Sequence, residues 1–302
     1  MGTGSGRGAA DPVEHGFPHL ETVRDAIAAL HRRLSYETLR TWDPSLSPAE
    51  VAFADDDELH LGVQQVAAAV VRHYRLPEAR VIVSFREMEH AANVELEAGP
   101  EYFVELNTRF KTHRRDVGAA LAHEVAHVLL HRLDLAFDTV GENEILTDTA
   151  AAYLGAGWLL LDAFRQDALT SQKLGYLTPE EFGYVLAKRA ELNGEDPAVR
   201  FTSPQAYDAY VAGRALAARD RRQPPLTAAG WATRARYAKD RKLALAGRPP
   251  VPRPNAAYAF DSGSPPRVSF RCPTCLRRIR IPVRGRVRAR CSSCRSVLEC
   301  DA

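Results

Sequence analysis

Apolar positions recur at helical spacing in two early stretches of the chain. Between Leu20 and Leu39, Val23, Ile27, Leu30 and Leu34 fall on one side; between Leu61 and Tyr74, Val63, Val66, Val70 and Val71 repeat the pattern. Pro77 then interrupts the chain, and Arg80–Phe85 (RVIVSF) is a short β-branched run that reads as a strand. Asn93–Glu97 and Glu101–Asn107 alternate around Gly99-Pro100, which predicts a hairpin. A helix over about 115–131 follows, with Val117, Leu121, Val125, Val128 and Leu129 able to bury. Further helices are expected from Glu142 to Phe164, from Thr178-Pro179-Glu180-Glu181 to Asn193-Gly194, and over 204–221. The second of these has a helix start, with Thr178 as N-cap and Pro179 in the first turn.

Beyond Arg222 the composition changes. Leu226–Ala246 is rich in Ala, Arg and Lys and reads as a solvated helix, whereas RPPVPR (248–253) and SGSPP (262–266) read as extended linkers. Residues 1–16 read as a disordered tail, and there is no internal repeat. The expected architecture is α+β: a mainly helical domain with a small antiparallel sheet over 17–221, a helical and Pro-rich linker over 222–266, and a small β module over 267–302.

Charge supports two modules with different partners. The net charge is +2, but Pro265–Ala302 holds ten Arg against two acids, Glu299 and Asp301, a net of +8, so the first 264 residues carry −6. The first ten residues lack a charged segment followed by an apolar one, and Gly6 stands where a myristoylation signal needs Ser or Thr. The longest apolar run, Ala150–Leu161, is too short to cross a bilayer. All five cysteines follow residue 271 and do not suggest a disulfide framework, so a reducing cytoplasm is the expected compartment.

The chemistry concentrates in His123-Glu124-Val125-Ala126-His127, an HExxH sequence. On a helix, positions i and i+4 share a face, so both imidazoles can reach one metal ion, and Glu124 beside them can take a proton from water activated there. A catalytic zinc needs a third protein ligand and an open position. The last of ten histidines is His131, about 12 Å along the helix from His123, so no downstream His can complete the set. A carboxylate is expected instead. Asp134 lies too close to the end of the first helix, whereas Glu144 and Asp148 share a face of the next one. Glu144 is the expected ligand; Asp148, one turn on, is positioned to accept the ring N–H of a ligating His.

HExxH followed by Asn143-Glu144-x-x-x-Asp148 resembles the gluzincin pattern of thermolysin-like enzymes. The chain more closely resembles the ImmA/IrrE type of zinc metallopeptidase: HEVAHVLLH (123–131) is similar to that family's HExxHxLLH run, and EILTDTAAAYL (144–154) to its downstream helix. It departs from the pattern in having Asp148 where Asn is usual and no Met-Pro after Leu159-Leu160. The resemblance covers residues 60–165 and implies a zincin-like fold and intracellular, selective proteolysis, often of a transcriptional repressor. Under that reading Glu124 is the general base and the substrate is a protein. A second donor to the developing oxyanion is expected, with Tyr153, His90 and His113 as candidates.

Cys272-x-x-Cys275 and Cys291-x-x-Cys294 are separated by fifteen residues, the spacing of a zinc ribbon. Four thiolates close the coordination shell, so this second zinc is structural and supplies folding energy to a module too short to fold on apolar burial alone. Cys300 is left as a free thiol. The ribbon's arginines suit nucleic acid or an acidic protein, and no aromatic stacking platform is evident beside Phe270. Two alternatives to a peptidase of other proteins remain: a DNA-associated regulator that does not cleave, and a self-processing enzyme whose 222–266 segment is its own substrate.

Overall fold

The described residues of the computed structural model are 13–54, 56–97, 99–167, 171–251, 253 and 256–302. The expected tail over 1–16 falls mostly outside them. Its last residues are held, however: His15 Nδ1 lies 2.9 Å from Glu180 Oε1, and the Gly16 amide donates to Glu180 Oε2.

The main body contains α1 (Leu20–Arg33), α2 (Tyr36–Arg40), α3 (Pro48–Val51), α4 (Leu59–His73), β1 (Arg80–Arg86), β2 (Ala92–Glu95) and β3 (Glu101–Asn107). It continues with α5 (Val117–Arg132), α6 (Val140–Tyr153), α7 (Gly157–Asp162), the short pair β4 (Arg165–Gln166) and β5 (Ser171–Gln172), α8 (Pro179–Asn193) and α9 (Pro204–Asp220). The architecture is α+β, as the periodicity predicts. The first predicted helix divides in two at Ser35, whose φ of 65° ends α1 and whose side chain caps α2. Thr178 caps α8 in a reciprocal box with Glu181, and Gly194 closes that helix in the left-handed conformation.

The sheet order is β1-β3-β2. β2 pairs antiparallel with β3, forming the predicted hairpin, but β1 runs parallel to β3, so the sheet is mixed rather than wholly antiparallel. The connection after Arg86 carries the chain past β3 and places β2 at the free edge. The helix expected over 142–164 is also broken. Gly155, at φ +112°, ends α6 and sends α7 off in a new direction; a Cβ there would lie 2.9 Å from Arg189 Nη2 and 3.0 Å from Ser45 Cα.

α5 is the central element of the core. Val117, Leu121, Val125 and Val128 are completely buried, in one cluster with Val66 and Val70 of α4 and Leu146 of α6. Burial of this largely apolar helix leaves its two ligand-type histidines only partly covered, on the side that meets the cleft.

The C-terminal module comprises α10 (Trp231–Leu245), β6 (Tyr258–Phe260), β7 (Arg267–Arg271), β8 (Arg278–Pro282), β9 (Arg286–Arg290) and β10 (Val297–Asp301). The stretch read as a linker contributes to it. β6 pairs with β7, and Tyr237 and Ala244 of α10 are buried with Phe260, Val268 and Phe270. Tyr237 stacks on Phe260 at 5.5 Å, and the Tyr258 hydroxyl donates to Asp240. The ribbon's apolar face needs a cover, and only two positions of α10 supply it, too few to register as periodicity. This module docks on the body. Arg271 pairs with Glu21 and Asp25 of α1, and the fully buried Lys188 donates to the Pro273 carbonyl.

Candidate metal centres

Helix α5 turns His123 and His127 to the same side, and α6 crosses it so that Glu144, in its second turn, meets both. The three donor atoms form a nearly equilateral triangle: His123 Nε2 to His127 Nε2 is 3.1 Å, and Glu144 Oε2 lies 3.2 Å and 3.3 Å from them. An ion ~2.0–2.1 Å from each donor in a tetrahedral shell sets such atoms about 3.3 Å apart, so this donor set could hold a divalent ion.

The other side of each imidazole is fixed as well. His123 Nδ1 donates to Asp148 Oδ1 at 2.7 Å, and Asp148 is fully buried. Thr147 Oγ1 spends its hydrogen on the Asn143 carbonyl at 2.9 Å, so at 3.2 Å it accepts from His127 Nδ1. With the Nδ1 hydrogens engaged in this way, a metal that displaced any proton on Nε2 would meet both Nε2 lone pairs at the centre of the triangle. The sequence reading found Asp148 but missed Thr147, whose neighbours on a buried helix face gave no separate signal. The other Asp148 oxygen accepts the Tyr176 and Leu177 amides, which anchors the loop before α8 over the site.

Electrostatics follow from burial and proximity. Glu144 is pulled down to about 2: burial opposes ionisation, but hydrogen bonds from His123 and His127 outweigh it. Burial favours neutral His123, yet the Asp148 carboxylate overrides this and holds its pKa well above the usual histidine value. Glu124, 6% exposed, has its pKa raised, first by burial, against the pull of both histidines. It shares with the triad a cleft of about 460 Å³, bordered by His90, Asn93 and Val94 near and on β2 and by Leu160 and Tyr176 opposite.

Of the three oxyanion candidates, the structure places only His90 in this cleft. Tyr153 is buried with its hydroxyl 3.0 Å from His31 Nε2, and His113 Nδ1 faces the Arg109 carbonyl. Tyr176 was not foreseen. Its ring stacks on His123 with centroids 6.3 Å apart, and burial together with Glu144, Asp148 and Glu124 raises its pKa, so it stays a hydrogen-bond donor at neutral pH.

The second centre is closed. Cys272, Cys275, Cys291 and Cys294 are buried free thiols whose sulfurs lie within 4.8 Å of one another, and these four could also hold a metal ion. Cys272–Cys294 and Cys275–Cys291 are each 3.6 Å apart, near the about 3.8 Å separation of sulfurs around a tetrahedral ion ~2.3 Å from each. The two knuckles are alike. Leu276 and Arg295 take φ of 57° and 58°, and their amides return to the Cys272 and Cys291 carbonyls. Cys300 lies apart on β10, and burial pushes its thiol up to about 11.

No family model, curated protein or solved structure matches the chain. No helix among the described residues is long and apolar enough to cross a membrane.

Proposed function

We propose that the protein is a zinc-dependent endopeptidase of the ImmA/IrrE kind acting on a protein substrate, with a second, structural zinc in the C-terminal ribbon. The observation that carries this reading is the His123–His127–Glu144 triangle beside a buried carboxylate in an open cleft. Its donor set suits zinc: two imidazoles and one carboxylate, with one side facing the cleft. When bound, the ion would act as a Lewis acid and lower the pKa of a water towards ~7.

The chain's own groups have distinct parts in this scheme. Glu124, basic enough through burial to accept a proton, takes one from the attacking water and passes it to the leaving amine. Tyr176 donates to the carbonyl oxygen as negative charge develops there. Edge strand β2 has one side unpaired among the described residues and borders the cleft, so it can hold an extended peptide by main-chain hydrogen bonds.

The test is Glu124→Gln. This variant should retain the metal and lose proteolysis. Proteomes of cells carrying each form should differ by a fragment present only with the wild type. Equal cleavage by both forms would remove Glu124 from the reaction and with it this mechanism.

A further inference from the structure

The cleft leaves one feature of the molecule unused. Trp231, at the start of α10, is 86% exposed, while the other two tryptophans, Trp42 and Trp158, are each 6% exposed. An indole this open contributes almost nothing to packing. It lies at a groove of about 460 Å³ that also includes Arg234, Ala238 and Arg241 of the same helix and Asp301 of β10. Trp231, Arg234, Ala238 and Arg241 follow helical spacing, so one face of α10 presents a flat aromatic ring followed by guanidinium groups.

This face continues onto the ribbon. Arg241 Nη1 lies 3.9 Å from Asp301, whose strand partner is Arg286. The β8–β9 turn abuts the same guanidinium, since a Cβ on Gly285 would lie 3.8 Å from Arg241 Nη2. From that turn Arg286, Arg288 and Arg290 project to the exposed side of β9, with Val287 and Ala289 facing inward. The two nearby acids are already engaged, Asp301 with Arg241 and Glu299 with Arg288 at 2.8 Å. Arg234, Arg284, Arg286 and Arg290 have no acid partner among the described residues.

We propose that this surface binds single-stranded nucleic acid, with Trp231 stacking a base and the arginines of α10 and β9 holding the phosphates. A single strand offers both partners at once, a π-face and a line of anions, and an isolated stacking platform beside arginines reads neither groove of a duplex. An acidic peptide would satisfy the arginines but give the open indole no comparable partner. The inference goes beyond the peptidase reading and does not depend on it: the residues involved are all in α10 and the ribbon.

The experiment uses the full chain with both metals bound and a labelled oligo(dT) or oligo(U) of about twelve nucleotides. Binding should quench the exposed tryptophan and weaken as salt rises. Trp231→Ala should bind about tenfold more weakly, within the range for removal of one base stack. Arg284→Ala with Arg286→Ala should lower the slope of log K against log salt by about 1.4, at ~0.7 for each single-strand phosphate no longer neutralised. All three side chains are exposed, so the variants should keep the wild-type metal content, which serves as the control for folding. Failure to bind at low salt would overturn the proposal. So would binding indifferent to both variants, or tighter binding of a poly-glutamate peptide than of the oligonucleotide.

Discussion

Asp148→Asn is the most demanding test of the first metal site, because the substitution keeps shape and changes only charge and hydrogen-bond polarity. Asp148 accepts at both oxygens: Oδ1 takes the His123 Nδ1 hydrogen, and Oδ2 takes the amides of Tyr176 and Leu177. An Asn has one acceptor and one donor end. If its oxygen stays on the two amides, its NH₂ faces His123 Nδ1 and forces the ring proton onto Nε2, the atom that must ligate. If its oxygen turns to His123, the NH₂ confronts two buried N–H donors. Either way at least one charge-assisted hydrogen bond disappears, worth about 2 kcal/mol. Removing a partner that orients a ligating histidine typically lowers metal affinity about 10- to 100-fold. Zinc affinity measured by competition with a chromogenic chelator should fall by that factor. The metal-free protein should also unfold at lower urea, without its buried His123–Asp148 pair. An Asp148→Asn variant with wild-type affinity and stability would refute the tautomer argument and the reading of Thr147 that runs parallel to it.

Gly175→Ala should act on the same carboxylate from the outside: φ is +83° and the new Cβ would lie 2.6 Å from both Asp148 oxygens, so a stability loss of at least about 1 kcal/mol is expected in urea melts, together with weaker zinc binding. Tyr176→Phe should lower kcat about 100-fold with KM and zinc content unchanged; a change confined to KM would make Tyr176 a substrate-binding residue and not an oxyanion donor. If both centres hold zinc as proposed, a chelator should remove the ion in the open cleft readily and the one at the four cysteines only slowly; release at a single common rate would contradict a closed tetrathiolate shell. His73 is buried with Nε2 2.9 Å from the Leu154 carbonyl, and burial pushes its pKa from 6.5 down to about 4. The unfolded chain therefore binds this proton first, so stability is fully present above pH 6.5 and falls as pH drops toward 4, by up to about 3 kcal/mol. Urea melts of wild type and His73→Gln should diverge over that window; parallel curves would exclude His73 as the cause.

The parts of the molecule legible in the sequence are those specified by short-range spacing. HExxH needs only one helical turn, and each CxxC knuckle only four residues, so these candidate ligand positions follow from local geometry. Glu144 required a further argument, because α6 reaches α5 only through tertiary packing; exclusion of a third histidine narrowed the choice to an acid, and helical phase paired it with Asp148. Thr147 and Tyr176 had no such signal. Their placement at the site comes from where the α6 face and the loop after β5 are carried by packing, and a Thr or Tyr in either place is ordinary core or loop material by composition.

The segment between the two candidate metal centres illustrates the same limit from the other direction. Its Pro-rich, Arg-rich composition matches that of a solvated linker, and much of its surface is indeed exposed. Yet a module as thin as the ribbon has two faces to cover. One is covered by Tyr237 and Ala244 of α10; another lies against the body, where Leu276 enters the main core and Lys188 is sealed between Glu191 and the Pro273 carbonyl. A few large side chains at irregular spacing suffice for this because the four cysteines, once metal-bound, supply the folding energy that apolar periodicity supplies elsewhere. Hydrophobic pattern therefore reports the main body well and the ribbon's surroundings poorly, and Trp231 stands out for the same reason: in a segment where each buried aromatic is needed as cover, it is the one left uncovered.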